Sequence, residues 1–264
     1  MYATNYHRAS SVADAVRLKG AADDGKYVSG GMTLIPTMKQ RLAAPSDLID
    51  LRHVAEMKGI TVSGDTVRIG AGTTHAEVAS SADLKATCPA LAHLASLIGD
   101  PHVRHMGTIG GSIANNDPAA DYPSAMLALG ATIETDKRKI AADDFFTGLF
   151  ETALEESEIV VAVSFKKPEK AAYCKFPNPA SRYAMAGVFV AKGTGGVRVG
   201  VTGAGSNGVF RHAAMEKALS ANFAPAALAN IATDPSDLLS DIHGSADYRA
   251  NLVNVMAKRA VAAA

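Results

Sequence analysis

Two glycine pairs, Gly30-Gly31 and Gly110-Gly111, sit in distant parts of the chain, each among serine and threonine. Adjacent glycines accept positive φ and, lacking Cβ, let another group come close to the backbone. The first pair lies in Val28-Ser29-Gly30-Gly31-Met32-Thr33-Leu34. That segment reads as the end of a strand, a turn, and the start of a helix, with Thr33 as N-cap and Pro36 in the first turn. Successive N–H groups in such a turn point into one concavity and suit an anion such as a pyrophosphate. The Thr33 hydroxyl adds a further donor. Thr108-Ile109-Gly110-Gly111-Ser112-Ile113-Ala114-Asn115 is expected to repeat this chemistry, adding the hydroxyls of Thr108 and Ser112 and the amide of Asn115. The Asp121 carboxylate, a little further on, can accept from ribose or ribityl hydroxyls. Gly-Gly also marks plain turns. The two pairs together strengthen the ligand reading and leave the plain-turn reading open.

The rest of the chain alternates short strands and helices. An amphipathic helix is predicted over Ser11–Lys19, strands at Tyr27–Val28 and Asp47–Leu51, and a helix over Leu34–Leu42. Val62–Ser63 and Thr66–Ala71 flank Gly64-Asp65 as a hairpin. Thr74 and Glu77 have capping-box spacing. Helices are expected over Pro89–Ile98 and Asp121–Leu129, and strands over Ala131–Glu134 and Ile159–Phe165. Composition changes at Pro168, and a boundary is placed near Lys166–Lys170, giving units 1–167 and 168–264, the first with lobes of about 1–52 and 53–167. In the second unit, Tyr183–Lys192 and Val197–Thr202 read as antiparallel neighbours. Helices are expected over His212–Ser220, Pro225–Ala232 and Ala246–Ala263.

Composition excludes several classes. Lys plus Arg equal Asp plus Glu at 26 each, so no broad basic field exists to hold nucleic acid. The two cysteines, Cys88 and Cys174, are too few for the four thiolates of a typical iron–sulfur cluster, and reduced thiols in a cytoplasmic setting are the simpler reading. No apolar run reaches the ~20 residues of a membrane span, and the first residues lack a signal-peptide core.

Gly203-Ala204-Gly205-Ser206-Asn207-Gly208 matches a dinucleotide fingerprint, but no strand ending in an acidic residue follows at the right distance, so a strand–helix connection is expected. His102 and His105 lack a third ligand and read as a surface loop. Asp143-Asp144 and Glu155-Glu156 read as solvated helix ends, and Cys174 as a buried structural thiol.

SGGMTLIP (29–36) and GTIGGSIANNDPAADYP (107–123) resemble the two FAD loops of the flavin subunit in the carbon monoxide dehydrogenase and xanthine dehydrogenase family of molybdenum hydroxylases. The likeness extends over nearly the whole chain, through IGAGTTHAEV (69–78), the Glu158–Phe165 strand, the Lys175–Tyr183 stretch and His243–Arg249. It implies an α+β protein. A two-lobed FAD-binding domain of the PCMH, vanillyl-alcohol-oxidase type would precede a small α+β domain with a three-stranded antiparallel sheet. It also implies that Ser29–Thr33 and Thr108–Ser112, flanked by Val28 and Leu34, hold the pyrophosphate. Asn115 and Asp121 would contact the sugar portions, Val160 would pack on the cofactor, Lys175 would lie near the flavin ring, and Tyr183 would shield one face of it. Met32 stands where the family usually has His or Gln, and Ser112 where Asn is frequent.

The function implied is electron transfer from iron–sulfur centres to an external acceptor. The molybdenum cofactor would sit on a large partner subunit and the [2Fe-2S] clusters on a small one, in a dimer of heterotrimers. No catalytic residue and no metal ligand is named on this chain. The rival expectations are a self-sufficient FAD-dependent oxidoreductase and an assembly module that has lost its cofactor.

Overall fold

Parallel pairing organises the first fifty residues of the computed structural model, which describes all 264 residues. β1 (Asn5–Arg8), α1 (Val12–Gly20), β2 (Gly25–Val28), α2 (Leu34–Lys39) and β3 (Asp47–Asp50) follow in order, and the sheet runs β1-β3-β2. Ser11 caps α1 by accepting from the Asp14 N–H. β3 is central and buried at all four residues, although two are carboxylates. Both find partners, as buried charges must: Asp47 meets His7 at 2.6 Å, and Asp50 accepts from Tyr6 and Arg52. β1 has no apolar alternation and was not expected from pattern. Its backbone register on β3 and these carboxylate contacts hold it. α2 stops earlier than predicted, at Lys39, because Arg41 takes a left-handed φ of 62°.

A second lobe is antiparallel. The hairpin β4 (Ile60–Ser63) and β5 (Thr66–Gly70) turns at Gly64, with φ of 59°. Six helices follow: α3 (His75–Ser80), α4 (Ala82–Thr87), α5 (Pro89–Ser96), α6 (Pro101–Met106), α7 (Ile109–Asn115) and α8 (Tyr122–Ala128). The chain continues through β6 (Thr132–Thr135), β7 (Lys139–Ala141), α9 (Ala142–Phe145), the small hairpin β8 (Phe146–Gly148) and β9 (Glu151–Thr152), and β10 (Val160–Lys166). The sheet order is β4-β5-β10-β6-β7. The capping box of α3 is complete, with Thr74 and Glu77 each bonding the other's backbone N–H. α6, expected as a loop, is a helix capped by Asp100, which accepts from the Val103 N–H, with Pro101 in its first turn.

The last third carries β11 (Lys170–Pro177), β12 (Ala184–Gly193), β13 (Gly196–Thr202) and β14 (Phe210–Arg211), all antiparallel and in that order, then α10 (Ala213–Ala221) and α11 (Ala246–Ala263). The sheet thus has four strands, not three, the fourth a two-residue edge. Residues 184–191 of β12 are all buried, as a strand covered on both faces requires. Alternate residues divide between two cores. Tyr173, Phe189 and Ala191 join the large core of the preceding lobe, while Ala172, Val188 and Val190 join a second core with α10 and α11. Pro225–Leu228 forms only a 3-10 turn where a helix was predicted. Gly203–Gly208 links two antiparallel strands and opens no helix. A Cβ on Gly203 would lie 2.3 Å from the Ala184 carbonyl oxygen, and one on Gly205 2.3 Å from that of Gly208, so chain packing accounts for both glycines.

Candidate functional site

A cavity of about 1000 Å³ draws its wall from all three parts of the chain. That is at the top of the range for small-molecule sites, roughly 300–1,000 Å³. The first glycine loop leaves β2 at Val28 and enters α2 at Leu34, and Val28 through Leu34 all line the cavity. Gly31 has φ of 70°, and Thr33 makes no side-chain cap. The N–H groups of Gly30, Gly31, Met32 and Thr33 have no acceptor within the chain. Unpaired backbone donors must be met by solvent or ligand, and these four belong to residues that all line the cavity. Gly30 has a separate reason to be glycine. A Cβ there would lie 2.1 Å from the Met106 carbonyl oxygen.

The second pair departs from expectation. Gly110 and Gly111 lie in the first turn of α7, behind Thr108 as N-cap, and neither has positive φ. The N–H groups of this segment are already used. Ile109 donates to Thr73 O at 3.1 Å, Gly110 to Ala71 O at 2.9 Å, Gly111 to Thr108 Oγ1 at 3.1 Å and Ser112 to Thr108 O at 3.0 Å. It does not repeat the first loop's backbone chemistry. It offers the Ser112 and Asn115 side chains and open space over Gly111, whose added Cβ would meet only Thr108 Oγ1 at 3.0 Å and Ser29 Cβ at 4.0 Å. The hydroxyls of Ser29 and Thr108 share a 3.0 Å hydrogen bond, which joins the two glycine segments directly.

Val160, at the start of β10, and Tyr183, 49% exposed, also line the cavity. A bulge in β10 presents the Val161 carbonyl to the Ala71 N–H at 2.9 Å. Tyr183 follows a loop tied by Asn178, whose Oδ1 accepts from the Ala180 and Ser181 N–H groups, with Arg182 at φ of 64°. Met32 is 40% exposed.

Asp121 lines the cavity but is 5% exposed, and its carboxylate is held from behind. Lys175 Nζ lies 3.0 Å from Oδ1 and donates to Leu97 O at 3.0 Å, while the Tyr173 hydroxyl donates to Oδ1. Burial pushes the Asp121 carboxyl above its ordinary pKa, against the opposing pull of Lys175 and Tyr173. Lys175 is therefore a buried support of Asp121 and is not among the lining residues.

Sequence reasoning missed His75 and Glu158. His75 lines the cavity at 5% exposure, its Nδ1 has no partner, and burial with Arg104 nearby pushes the imidazole down to about 4. Its ring lies 5.4 Å from that of Tyr122, whose buried hydroxyl is also unpartnered. In the sequence it is only the residue inside a capping box, a position that says nothing about burial. For Glu158, burial opposes the charge, but Arg138, the Glu155 N–H and Thr135 outweigh it and hold the carboxyl down to about 2.

A parallel first lobe, an antiparallel second lobe and a large cavity lined by donors from a glycine loop define a dinucleotide-binding α+β protein. Residues 2–167 match the family described as the FAD binding domain in molybdopterin dehydrogenase. The chain is 36% identical to the carbon monoxide dehydrogenase medium chain of Hydrogenophaga pseudoflava, over 98% of this chain and 96% of that one. It is 33% identical to the nicotine 6-hydroxylase medium subunit of Paenarthrobacter nicotinovorans, over 98% and 96%. The solved quinoline 2-oxidoreductase of Pseudomonas putida 86 superposes with a TM-score of 0.88 at 26% identity, covering 99% of this chain and 96% of that one. The chain belongs to the FAD-binding domain family of molybdopterin dehydrogenases, as a flavoprotein subunit of an oxidoreductase, and its cofactor is FAD.

Proposed function

We propose that this chain carries electrons from the iron–sulfur centres of a partner subunit to an external acceptor, within a molybdenum hydroxylase whose substrate chemistry lies elsewhere. The observation that carries this reading is the cavity itself. It offers unpaired backbone donors suited to a pyrophosphate, and the relatives that match nearly the whole chain are medium chains, components of larger enzymes. Bound FAD accepts one or two electrons and so links one-electron and two-electron carriers. The protein supplies position and electrostatics. Gly30–Thr33 donate to the pyrophosphate, joined by the side chains of Ser29, Thr108 and Ser112. Asn115 and Asp121 serve the sugar hydroxyls, Val160 packs on the cofactor, and Tyr183 covers one face at the rim. Lys175 acts through Asp121.

The supporting relatives are medium chains or subunits, names that fit a large and a small partner. The assembly proposed is a cytoplasmic dimer of heterotrimers, in which residues 1–167 form the FAD-binding unit and 168–264 a second unit. No helix is long and apolar enough to cross a membrane.

Anaerobic spectroscopy tests the reading. The flavin bands of the FAD-loaded chain are expected to persist with carbon monoxide, nicotine or quinoline alone, and to bleach on adding a reduced iron–sulfur subunit co-expressed with it. Bleaching by a small substrate without any partner would instead establish a self-sufficient oxidoreductase.

A further inference from the structure

We infer that Tyr173 is a positioning residue for the cofactor, holding the Asp121 carboxylate as an acceptor at the cavity wall from a slot that Gly187 keeps open. The inference rests on the reading of the cavity as the FAD site.

The slot is built across two strands. Tyr173 is 2% exposed on β11, directly opposite Phe189 of β12, and the two rings lie 6.1 Å apart. Gly187 lies opposite Lys175 in the same register. A Cβ on Gly187 would fall 2.3 Å from the Tyr173 hydroxyl oxygen, so any other residue there displaces the hydroxyl. Tyr173 thus reaches past the neighbouring strand to Asp121, and Lys175, two residues on, reaches the same carboxylate. The loop that bears Asp121 is fastened to the same sheet. Thr202, opposite Gly187 on β13, places its hydroxyl 2.6 Å from Ala120 O and 3.1 Å from Pro118 O, and the Gly203 N–H donates to Pro118 O at 2.9 Å. The last sheet therefore fixes both the backbone and the carboxylate of a residue in the cavity wall.

A phenol at this place does something a bulky apolar residue cannot. Asp121 is buried, and burial favours its neutral form. A protonated carboxyl spends one oxygen as a donor, whereas the ionised group accepts at both. The titratable groups facing Asp121 are Lys175 and Tyr173 on β11, Tyr122 on α8, and Tyr183 at the rim, which also feels Asp117. Of these, Lys175 and Tyr173 alone bond the carboxylate. Removing the Tyr173 hydroxyl leaves Lys175 to hold the charge alone, so the carboxyl takes up a proton at higher pH.

The test is FAD titration of the full-length apo chain between pH 5 and pH 9 for the wild type, Tyr173→Phe, Gly187→Ala and Asp121→Asn. Tyr173→Phe keeps the ring and its packing. It is expected to shift the acid limb of FAD affinity upward by about one pH unit, so that binding near that limb weakens roughly tenfold while binding at pH 9 changes little. Gly187→Ala, which displaces the same hydroxyl by contact, is expected to shift the limb the same way. Asp121→Asn should be weak at every pH and have no limb. A uniform loss in Tyr173→Phe, parallel to the wild type across the range, would show mere packing and overturn the inference. So would wild-type affinity in Asp121→Asn, which leaves the FAD reading intact. A wild-type chain that takes up no FAD overturns that reading, and this inference with it.

Discussion

Gly110 and Gly111 are neighbours with opposite demands. A Cβ on Gly110 would lie 2.4 Å from Ala71 Cβ and 2.8 Å from Ala71 O, inside the packed lobe. A Cβ on Gly111 would meet little beyond the Thr108 hydroxyl, on the cavity side. Gly110→Ala is therefore expected to destabilise the apo chain by about 1–3 kcal/mol, the usual cost of overpacking. Gly111→Ala should keep the apo melting temperature near wild type, because alanine favours the helix by about 0.5–1 kcal/mol, yet weaken FAD binding roughly tenfold, about 1.4 kcal/mol. Thermal denaturation beside FAD titration checks both, and equal melting temperatures for the two variants would contradict the assignment. The sequence marked both glycines as one feature. It could not separate them, because Ala71 comes from a distant strand end and the separation depends on tertiary contact.

The elements differ in how openly the sequence announces them. The α3 capping box is local, and so are the apolar, β-branched runs of β10 and β12, and these were legible. β1 and β11 were not, because their residues lack a pattern of their own and are held by register on β3 and β12. α6 was hidden by its polar composition, and the 3-10 turn at Pro225–Leu228 shows an apolar period without a full helix. α3 also carries a pH device that no pattern shows. The native chain holds His75 neutral down to about 4, whereas the ordinary imidazole protonates near 6.5. As pH falls from about 6.5, the unfolded chain binds a proton that the folded chain refuses, and stability is lost until pH 4 is reached. The contribution is up to about 3 kcal/mol. His75→Phe is expected to flatten the stability curve between pH 6.5 and 4, read by urea denaturation at several pH values. An unchanged slope would mean that His75 is not the group excluded from protonation.

At the scale of the molecule, one sheet has a core on each side and reaches the cavity through Asp121. Tyr173 and Phe189 face the large core, and Val188 and Val190 face the core under α11. The same sheet places Lys175 behind Asp121, which lines the cavity. The first glycine loop was legible as a turn with free backbone donors, because those donors are local. The second lines the same cavity but lacks the free donors expected of it, since its N–H groups are consumed by Thr73, Ala71 and Thr108. Whether this cavity holds FAD is read from the absorption spectrum of the purified full-length chain and of the supernatant after heat denaturation. Flavin bands and released FAD rather than FMN are expected. A colourless chain that stays colourless after incubation with FAD would contradict this.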